Sequence, residues 1–465
     1  MTLIRSISGI RETIGGMAGE GLSPADVLKY TSAYITWLIE NSGKIRPLLI
    51  VGRDARLSGE MVRDIVTGTA TGMGADIIDI GLATTPTVEM TVIDKKADGG
   101  IIITASHNPK NWNALKLLNS NGEFLSEEDG QKVLKLAEKG DAKYCGVGNI
   151  GRLSFDSEAL QKHINRILAL SLVDLKAIKA GGFRVAIDCV NSVGGIAIPA
   201  LLEALGVKNV EKLFCEPTGN FSHNPEPLPE HLQEISKLVV KSNSAVGFVV
   251  DPDVDRLAIV CEDGEMFGEE YTLVAVSDYI LQNKKGNTVS NLSSTRALCD
   301  ITEKHGCKYS ASAVGEVNVV EMMKKTKAVI GGEGNGGVIY PELHYGRDAL
   351  VGIALFLTYL AKSGKKCSAL RYSYPSYFIS KNKIELQPDI NVDTVLSKIK
   401  DKYSKHKLTD VDGVKIEFDK EWVHLRKSNT EAIIRIYAES DSLTKADHLA
   451  KKIIDDIKLI IRNDK

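Results

Sequence analysis

The sequence predicts an α/β protein: three related α/β domains with mainly parallel, mixed sheets, then a C-terminal α+β domain with an antiparallel sheet. The chain has 465 residues, and domains mostly contain about 100–200 residues, so we expect three or four of them. A unit of strand, polar or glycine-bearing turn, helix and short strand recurs three times before residue 371, which is typical of α/β domains. The remaining segment has a different order of elements.

We interpret the three α/β units as divergent repeats of one fold. The apolar runs and the segments after them predict strands at 47–52, 76–81, 99–104, 183–190 and 287–292, and helices at 60–72, 196–206 and 294–306. The order predicted for the last segment is strand, helix, three strands and helix, at 377–387, 392–403, 413–418, 422–428, 432–440 and 445–461. Domain boundaries are predicted at 1–150, 151–256, 257–370 and 371–465, with a hinge near 370–375.

The composition is that of a soluble globular protein, with 43% hydrophobic and 25% charged residues. A formal net charge of −2 gives no electrostatic basis for binding nucleic acid or a membrane surface. Arg5, Ser6 and Gly9 interrupt the apolar residues at the N-terminus, so we predict no signal peptide. Seven scattered cysteines without a C-x-x-C pair indicate reduced thiols rather than a cysteine-based zinc site. We therefore expect a cytoplasmic protein with neither nucleic-acid nor membrane partners.

The segment GGIIITASHNP (99–109) places a polar turn directly after a buried strand. Ser106 lies where that strand ends, and open α/β sheets bind ligands at the carboxyl ends of their strands. Ser106 is therefore a candidate nucleophile, and a loop serine with a capping role remains the alternative. The G-x-S-x-G elbow is absent, which argues against an ordinary α/β-hydrolase.

The segment AVGFVVDPDVDRLAIV (245–260) places Asp251, Asp253 and Asp255 at alternate positions between two apolar strands. Three carboxylates this close repel one another unless a cation lies among them, and hard oxygen ligands suit Mg²⁺. Such an ion would also neutralise charge on a transferring phosphoryl group. Arg256 follows directly and is a candidate anion ligand. The alternative, a solvated acidic turn, fits the apolar flanks less well.

A glycine-rich run, IGGEGNGGVIY (330–340), surrounds Glu333 and Asn335. Dinucleotide binding is an alternative, but the G-x-G-x-x-G spacing with a following helix is absent, and GVIY is expected to be extended. We predict a tight loop that presents both side chains to hydroxyl groups of a small polar ligand, with Arg347 and Asp348 near the same opening.

A fourth motif lies between the last two predicted strands and contains Arg426, Ser428, Asn429 and Thr430. One guanidinium with hydroxyl, amide and backbone donors suits a phosphate dianion. An ordinary hairpin turn is the alternative for this segment.

Further basic residues are expected to gather near Ser106. Arg11 lies in the N-terminal strand region, and Arg53 and Arg56 follow the strand 47–52. Lys116 would serve as an acid or a base if neighbouring cations lowered its pKa. A surface lysine is the alternative for that position.

Taken in this order, TASHNP, DPDVDR, GEGNGG and RKSNTE resemble the α-D-phosphohexomutase superfamily over essentially the whole chain. The resemblance implies four domains, the first three related and the fourth flexible. It implies an isomerase that interconverts hexose 1-phosphates and 6-phosphates through a phosphoserine, with Mg²⁺ as cofactor and a sugar 1,6-bisphosphate as intermediate and activator. The expected partner is a small-molecule sugar phosphate, and the expected assembly is a monomer or a homodimer.

The resemblance also implies a role for each matching residue. The implied catalytic residues are Ser106, Lys116, His107 and Arg11; the metal ligands are Ser106, Asp251, Asp253 and Asp255; the substrate-binding residues are Arg256, Glu333, Asn335, Arg426, Ser428, Asn429 and Thr430. Ser106 would carry the phosphoryl group in the resting enzyme, and Lys116 would be the general acid or base. The loop at Arg426 would grip the phosphate that does not react.

The chain departs from the superfamily pattern at the sugar loop. Many relatives have G-E-x-S-G-H, whereas this chain has GEGNGG, with Asn335 in place of Ser and Gly337 in place of His. The first turn also reads GIRE where many members have a second glycine. The run GEGNGGVIYPE resembles the archaeal-type branch, whose members are often assigned to glucosamine phosphate. We therefore expect glucosamine phosphate in preference to mannose or glucose phosphate.

Two functions of other classes fit parts of the sequence. VVDPDVDR resembles the strand and D-x-D of a haloacid-dehalogenase-type phosphatase, with Asp251 as the nucleophile. A non-catalytic sugar-phosphate binding protein is the second alternative, and the intact Ser106, aspartate triplet and Arg426 loop argue against it.

Overall fold

A computed structural model describes residues 4–6, 9–387, 390–427 and 433–463. The chain forms two compact units: the first contains Met1–Lys284 and Asn335–Arg371, and the second contains Lys285–Gly334 and Tyr372–Lys465. Within the described ranges, no helix combines the length and the apolar character that a membrane span requires.

The elements alternate between strand and helix over most of the chain. The strands are β1 (Ile4–Ser6), β2 (Gly9–Thr13), β3 (Leu48–Arg53), β4 (Asp76–Leu82), β5 (Gly99–Ile103), β6 (Trp112–Leu118), β7 (Leu153–Phe155), β8 (Arg184–Asp188), β9 (Asn209–Leu213), β10 (Val246–Val250), β11 (Leu257–Cys261), β12 (Thr288–Asn291), β13 (Tyr309–Ser312), β14 (Ile330–Glu333), β15 (Gly337–Ile339), β16 (Phe378–Glu385), β17 (Lys407–Thr409), β18 (Val414–Glu417), β19 (Trp422–Lys427) and β20 (Ile433–Ser440). The helices are α1 (Pro24–Ser42), α2 (Gly59–Gly72), α3 (Thr85–Lys95), α4 (Glu127–Lys139), α5 (Ala159–Leu168), α6 (Leu175–Gly181), α7 (Gly194–Leu205), α8 (Gln233–Ser242), α9 (Glu269–Asn283), α10 (Ala297–Lys304), α11 (Glu316–Thr326), α12 (Ala349–Ser363), α13 (Cys367–Arg371), α14 (Val392–Lys402) and α15 (Leu443–Asn463). Two short 3₁₀ helices lie at Val147–Asn149 and Pro229–His231.

The first sheet of the first unit has seven strands in the order β1–β2–β6–β5–β3–β4–β7. Strand β3 runs parallel to β4 and β5, whereas β6 runs antiparallel to β5 and β2. Successive side chains of β5 point to opposite faces. Ile101 and Ile103 therefore pack in the cluster that includes Val66 of α2, while Ile102 packs in the cluster that includes Val88 of α3. Helices cover both faces, which explains why this strand is apolar throughout.

The second sheet of the first unit has the order β11–β10–β8–β9. Strands β8, β9 and β10 are parallel, and β11 pairs with β10 in the antiparallel direction. The turn between β10 and β11 carries the aspartate triplet. Helix α12 is buried from Ala349 to Leu360, and its Phe356 ring lies 5.3 Å from that of Phe267. Packing on both sides holds the β10–β11 turn in one position.

The second unit contains two sheets. Strand β12 runs parallel to β13 and β14. The other sheet is antiparallel, with the order β16–β20–β19–β18–β17. Ile399 of α14 and Ile453 of α15 pack with Ile434 of β20 in its core. Both helices are amphipathic and bury one face against the sheet.

The structure confirms the predicted fold class, with mixed α/β sheets followed by an antiparallel C-terminal sheet. In the C-terminal segment, where the full order of elements was predicted, one element was missed: β17 adds a fourth strand between α14 and the last helix. Its sequence, KLT, has one apolar side chain in three residues, which is too short for an alternating pattern. The predicted helix 294–306 begins later, at Ala297, because Ser294 forms a turn back to Asn291 at 3.1 Å. The four domain boundaries stay predictions.

Candidate active site

Ser106 lies in the turn that begins after β5 ends at Ile103, and it has a left-handed backbone, with φ of +47°. This conformation is costly for a residue with a Cβ and persists where the surroundings enforce it. The Ser106 N–H donates to Thr104 Oγ1 at 2.9 Å, and Thr104 Oγ1 donates to Asp54 Oδ2 at 2.6 Å. The Ser106 hydroxyl in turn donates to Asp251 Oδ2 at 2.7 Å. The strained turn therefore aims Ser106 Oγ at the aspartate triplet.

The buried side chain of Arg56 stabilises the turn after Ser106, and 1% of the Arg56 surface is exposed. Its guanidinium donates to four carbonyl oxygens at 2.6–2.9 Å, those of Ser106, Asn108, Pro109 and Trp112. Its Nε donates to Asp54 Oδ2 at 3.0 Å. We expected Arg53 and Arg56 to add positive charge near Ser106. Instead Arg56 is paired with Asp54 and supports the loop backbone, and Arg53 pairs with Glu60 at 3.0 Å.

The aspartate triplet lies in the turn between β10 and β11, and Asp251, Asp253 and Asp255 are all 0% exposed. One carboxylate oxygen from each lies within 4.8 Å of the others. Val254 between them has φ of +63°, which tightens the turn. Within the described residues, Asp253 Oδ1 and Asp255 Oδ1 have no hydrogen-bond partner. A buried carboxylate oxygen without a donor is costly, so these residues fit a hard divalent cation such as Mg²⁺.

The pKa values of Asp251 and Asp253 reflect burial and the repulsion among the three carboxylates. Burial raises the pKa of the Asp251 carboxyl well above its ordinary value, and the charges of Asp255 and Asp253 act in the same direction. Burial alone would also raise the pKa of Asp253, but the Lys116 ammonium, together with side-chain hydrogen bonds to Thr85 and Asp251, outweighs burial and lowers that pKa. The triplet therefore depends on positive charge to stay ionised.

Lys116 of β6 provides part of that positive charge. Its Nζ donates to Asp253 Oδ2 at 2.7 Å and lies 3.5 Å from Asp255 Oδ2. Burial alone would lower the pKa of Lys116, but Asp253 and Asp255 outweigh this effect and raise it above its ordinary value. The condition that neighbouring cations lower the Lys116 pKa is thus not met. Lys116 is held as an ammonium, which can donate a proton but cannot readily accept one.

His107 lies beside the candidate nucleophile, with Nδ1 3.3 Å from Ser106 Oγ. Burial lowers the pKa of His107 to about 2, and the guanidinium groups of Arg256, Arg11 and Arg347 contribute in the same direction. The imidazole is therefore neutral at physiological pH and too weak a base to remove a proton. Its position suits orientation of the Ser106 hydroxyl.

Two contacts of the triplet were not predicted as such from the sequence. Arg347 donates through Nη2 to Asp255 Oδ2 at 2.7 Å, and Thr85 donates through Oγ1 to Asp253 Oδ2 at 2.6 Å. We had placed Arg347 near the opening of the Glu333 loop. Arg347 is 92 positions from its partner and Thr85 is 168 positions from its own, so no local spacing in the sequence signals either contact.

Asn335 lies in the first unit and forms part of its own turn. Its Oδ1 accepts a hydrogen bond from the Gly337 N–H at 3.2 Å. The side-chain oxygen predicted to contact sugar hydroxyls is thus already engaged with the backbone, while the side chain remains half-buried.

Glu333 and Arg426 lie in the second unit. Glu333 ends β14, and its Oε1 accepts from Asn291 Nδ2 at 2.9 Å and from the Gly315 N–H at 3.2 Å. These contacts hold a buried carboxylate in one orientation. Arg426 lies near the end of β19, with Nε 2.8 Å from Asp412 Oδ2. Ser428, Asn429 and Thr430 lie outside the described residues.

The described groups make a coherent chemical set. A hydroxyl at Ser106 lies against three buried carboxylates that suit a divalent cation, and an ammonium and several guanidinium groups surround them. Transfer of a phosphoryl group needs an oxygen nucleophile, compensation of the phosphate charge and a proton donor. The site around Ser106 offers all three.

Comparison with known proteins identifies the family. The matching domain families are Phosphoglucomutase/phosphomannomutase alpha/beta/alpha domain I at residues 4–144, domain II at 161–264, domain III at 268–377, and the Phosphoglucomutase/phosphomannomutase C-terminal domain at 388–456. Together they cover most of the chain in consecutive order.

Individual relatives agree with this assignment along their full length. The chain is 36% identical to a Thermococcus kodakarensis protein named phosphoglucomutase/phosphomannomutase, covering 93% of this chain and 94% of that one. It is 30% identical to a phosphoglucosamine/phosphogalactosamine mutase of Sulfurisphaera tokodaii, covering 96% and 97%. The fold matches that of a phosphoglucomutase/phosphomannomutase family protein from Burkholderia thailandensis, with a TM-score of 0.82, 22% identity and 98% coverage of each chain. The chain therefore belongs to the phosphoglucomutase/phosphomannomutase family and is an isomerase of the phosphohexose mutase class.

Proposed function

We propose that this phosphohexose mutase interconverts glucosamine 1-phosphate and glucosamine 6-phosphate, with Ser106 as the phosphoryl carrier. The observation that carries this proposal is the 2.7 Å hydrogen bond from Ser106 Oγ to Asp251 Oδ2, inside a buried carboxylate triplet. A hydroxyl in this setting suits the acceptance and return of a phosphoryl group, since a cation held by the carboxylates would compensate the charge of the phosphate. The proposed enzyme acts in the cytoplasm as a monomer or a homodimer.

Ser106, Asp251, Asp253 and Asp255 are the residues that would hold Mg²⁺. When bound there, the ion would neutralise charge on the transferring phosphoryl group. Arg256, Arg11 and Arg347 add positive charge on the same side, as their effect on His107 indicates. Guanidinium groups can bind phosphate oxygens through paired hydrogen bonds.

The proposed reaction has two symmetric halves. In the first, the bond between Ser106 Oγ and phosphorus breaks, and a sugar hydroxyl oxygen bonds to that phosphorus, giving a sugar 1,6-bisphosphate. Ser106 Oγ takes a proton from the Lys116 ammonium, which leaves a neutral amine for the reverse transfer, and the proton released by the sugar hydroxyl passes to solvent. The intermediate then turns end for end, and its other phosphoryl group returns to Ser106 Oγ by the reverse steps. A trace of bisphosphate acts as the activator because it phosphorylates Ser106.

The residues proposed to recognise the sugar phosphate lie in the glycine-rich run around Glu333 and in the loop at Arg426. Glu333 is buried and oriented by Asn291 and Gly315, which suits a carboxylate that accepts from sugar hydroxyls. Asn335 is proposed as a further sugar contact. Arg426, with Ser428, Asn429 and Thr430, is proposed to bind the phosphate that does not react. When the phosphate binds, the Arg426 guanidinium would leave the Asp412 carboxylate and pair with the phosphate.

Parallel kinetics test the choice of sugar. The purified full chain, with Mg²⁺ and a trace of glucose 1,6-bisphosphate, would receive glucosamine, glucose and mannose 1-phosphates in turn. We expect the highest kcat/KM for glucosamine phosphate. The name of the Thermococcus kodakarensis relative favours glucose or mannose phosphate as the second candidate, and a clear preference for either would overturn the first.

The site of the covalent phosphoryl group separates the mutase from a phosphatase with an aspartate nucleophile. Incubation with bisphosphate should add one phosphoryl group to the protein, and peptide mass spectrometry should locate it on Ser106. The label should be absent from Ser106→Ala. A label on Asp251 would contradict the proposal.

A further inference from the structure

A second cluster of metal-ligating side chains lies in the first unit, and of its members only Asp348 was named in the sequence analysis. Nε2 of His163, on α5, lies 2.9 Å from Asp348 Oδ2, and Nε2 of His344 lies 3.3 Å from the same oxygen. One ligand atom from each of the three residues lies within 4.8 Å of the others. Their exposed fractions are 1%, 4% and 0%, so the cluster is closed to solvent.

Further contacts orient each member of this cluster. Nδ1 of His163 lies 3.0 Å from Thr87 Oγ1, and Nδ1 of His344 lies 3.3 Å from Glu89 Oε2. Asp348 Oδ1 accepts two backbone N–H groups in the first turn of α12, at 2.8 and 3.2 Å. A histidine that binds a metal through one ring nitrogen almost always donates a hydrogen bond from the other to an oxygen atom. His163 is within hydrogen-bond distance of Thr87, whereas His344 Nδ1 has an ion-pair contact with Glu89 and no hydrogen bond within the described residues. Both Nε2 atoms face the remaining Asp348 oxygen.

A second acidic residue, Glu89, lies beside the cluster, and Glu89 and Asp348 are both 0% exposed. Two buried carboxylates next to two imidazoles make a lining that suits a divalent cation. The metal-free alternative is a hydrogen-bonded network of the same side chains.

We propose that His163, His344 and Asp348 bind one Zn²⁺ ion as a structural site, separate from the Mg²⁺ site at the aspartate triplet. Two imidazoles with one carboxylate suit Zn²⁺, whereas Mg²⁺ prefers oxygen ligands throughout. Tetrahedral Zn²⁺ with bonds of about 2.0–2.1 Å sets neighbouring ligand atoms about 3.3 Å apart. The observed separations of 2.9 and 3.3 Å approach that value. A water molecule would take the fourth position.

The proposed ion would join parts of the first unit that are distant in the chain. His163 and Asp348 are 185 positions apart, and Glu89 brings α3 to the same cluster. A metal that binds the folded protein and not the unfolded chain stabilises the fold by mass action. The expected role of Zn²⁺ is therefore stability of the first unit rather than phosphoryl transfer.

The first test uses the wild-type chain. Metal is removed with a chelator, millimolar Mg²⁺ is added to occupy the triplet, and Zn²⁺ is then titrated. We expect one Zn²⁺ per chain to survive gel filtration and to raise the melting temperature. X-ray absorption at the zinc edge should show four-coordinate Zn²⁺ with two imidazoles, and Co²⁺ in its place should give the intense visible absorption of a tetrahedral site.

Zn²⁺ binding by substituted chains shows which residues hold the ion. Glu89→Gln should weaken Zn²⁺ binding by about 10–100-fold, as is typical when an outer partner of a ligand is lost, and His344→Gln should weaken it more. His448→Gln is the matched control, since His448 is exposed on α15, and it should bind as wild type does. Asp251→Asn should also retain the ion, because the triplet is a different site.

Three results would overturn the proposal: no Zn²⁺ retained by wild type, retention unchanged in His344→Gln, or loss in Asp251→Asn with His344→Gln unaffected. If His344→Gln fails to fold, the absorption spectrum of wild type decides. A coordination shell without imidazole would rule the site out. All these readouts are independent of mutase activity, so failure of the proposed function leaves them interpretable.

Discussion

At the scale of single residues, Lys116 connects the stability of the site with its chemistry. Its ammonium lies 2.7 Å from Asp253 Oδ2 inside a site that excludes water. Removing one partner of a buried ion pair costs about 3–5 kcal/mol, because the other charge is left uncompensated. Mg²⁺ at the triplet would compensate the same carboxylate. The two cations therefore share the task of keeping Asp253 ionised.

We predict that Lys116→Met lowers the free energy of unfolding of the Mg²⁺-free protein by about 3 kcal/mol. Added Mg²⁺ should restore more stability to this variant than to wild type, since the unpaired Asp253 binds the ion more strongly. Urea unfolding with and without Mg²⁺ measures both quantities. Lys110→Met, at an exposed position, is the control. Equal Mg²⁺ stabilisation of wild type and Lys116→Met would contradict the prediction.

The sequence predicts those site residues whose chemistry is visible in a short segment. Ser106 and the three aspartates each follow an apolar strand, so their position at a strand end could be inferred. The contact of Ser106 with Asp251 joins two different sheets across 145 positions, and only the resemblance to the superfamily implied it. The contact of Arg347 with Asp255 could not be inferred, because its partner is 92 positions away. The charge state of Lys116 also depends on the distant β10–β11 turn, through Asp253 and Asp255, so the residues near Lys116 in the sequence could not show whether its pKa is lowered.

At the scale of elements, the turn after β5 is held by one buried guanidinium. Arg56 is the donor for four carbonyl oxygens, which a lysine cannot reach at the same time because its ammonium is a single point of charge. Each buried carbonyl that loses its donor costs about 1–3 kcal/mol. The left-handed Ser106 backbone depends on this support.

Arg56→Lys should therefore lower the free energy of unfolding by about 3 kcal/mol and lower kcat, because Ser106 Oγ is no longer held toward Asp251. Arg53→Lys is a matched control on the same loop, and its partner Glu60 is exposed, so we expect less than about 1 kcal/mol. Chemical unfolding and steady-state kinetics provide the measurements. The argument fails if both variants lose the same stability.

Helices and strands were predicted correctly where the pattern of apolar residues extends over several residues. Strands β3, β4 and β5 have long apolar runs, and α14 and α15 have clear amphipathic spacing. Strand β17 has three residues and pairs with β18 alone, so its existence depends on the register of its neighbour. No sequence window of three residues carries that information.

At the scale of the whole molecule, the chain divides into two units in a way that its sequence order does not suggest. Residues Asn335–Arg371 return to the first unit after Lys285–Gly334 have entered the second. The strand–turn–helix pattern continues through both segments, so it gives no signal of the division. The fold class could thus be predicted from local patterns, while the grouping of the elements depends on tertiary contacts.

The pH dependence of stability should show a contribution from Lys415, in the second unit. Its Nζ donates to the Leu292 carbonyl at 2.7 Å and lies 4.1 Å from the Trp422 ring centroid. Burial lowers the pKa of Lys415 to about 8 from an ordinary value of 10.5, although Glu439 and Glu417 act in the opposite direction. Between these two pH values the unfolded chain binds a proton that the folded chain has released. Stability therefore rises with pH across this window, by up to about 3 kcal/mol from this group.

Below about pH 8 both states hold the proton, and Lys415 makes no contribution to the slope. Urea unfolding at several pH values from 7 to 10.5 should show that the free energy of unfolding rises more in wild type than in Lys415→Met. Lys451→Met is the control, because Lys451 is exposed on α15 and is not among the charges that shift the Lys415 pKa, and its profile should follow that of wild type. Parallel profiles for wild type and Lys415→Met would mean that Lys415 keeps its ordinary pKa in the folded protein. A smaller rise in Lys415→Met would establish instead that the second unit buries this lysine at a cost that is present at neutral pH.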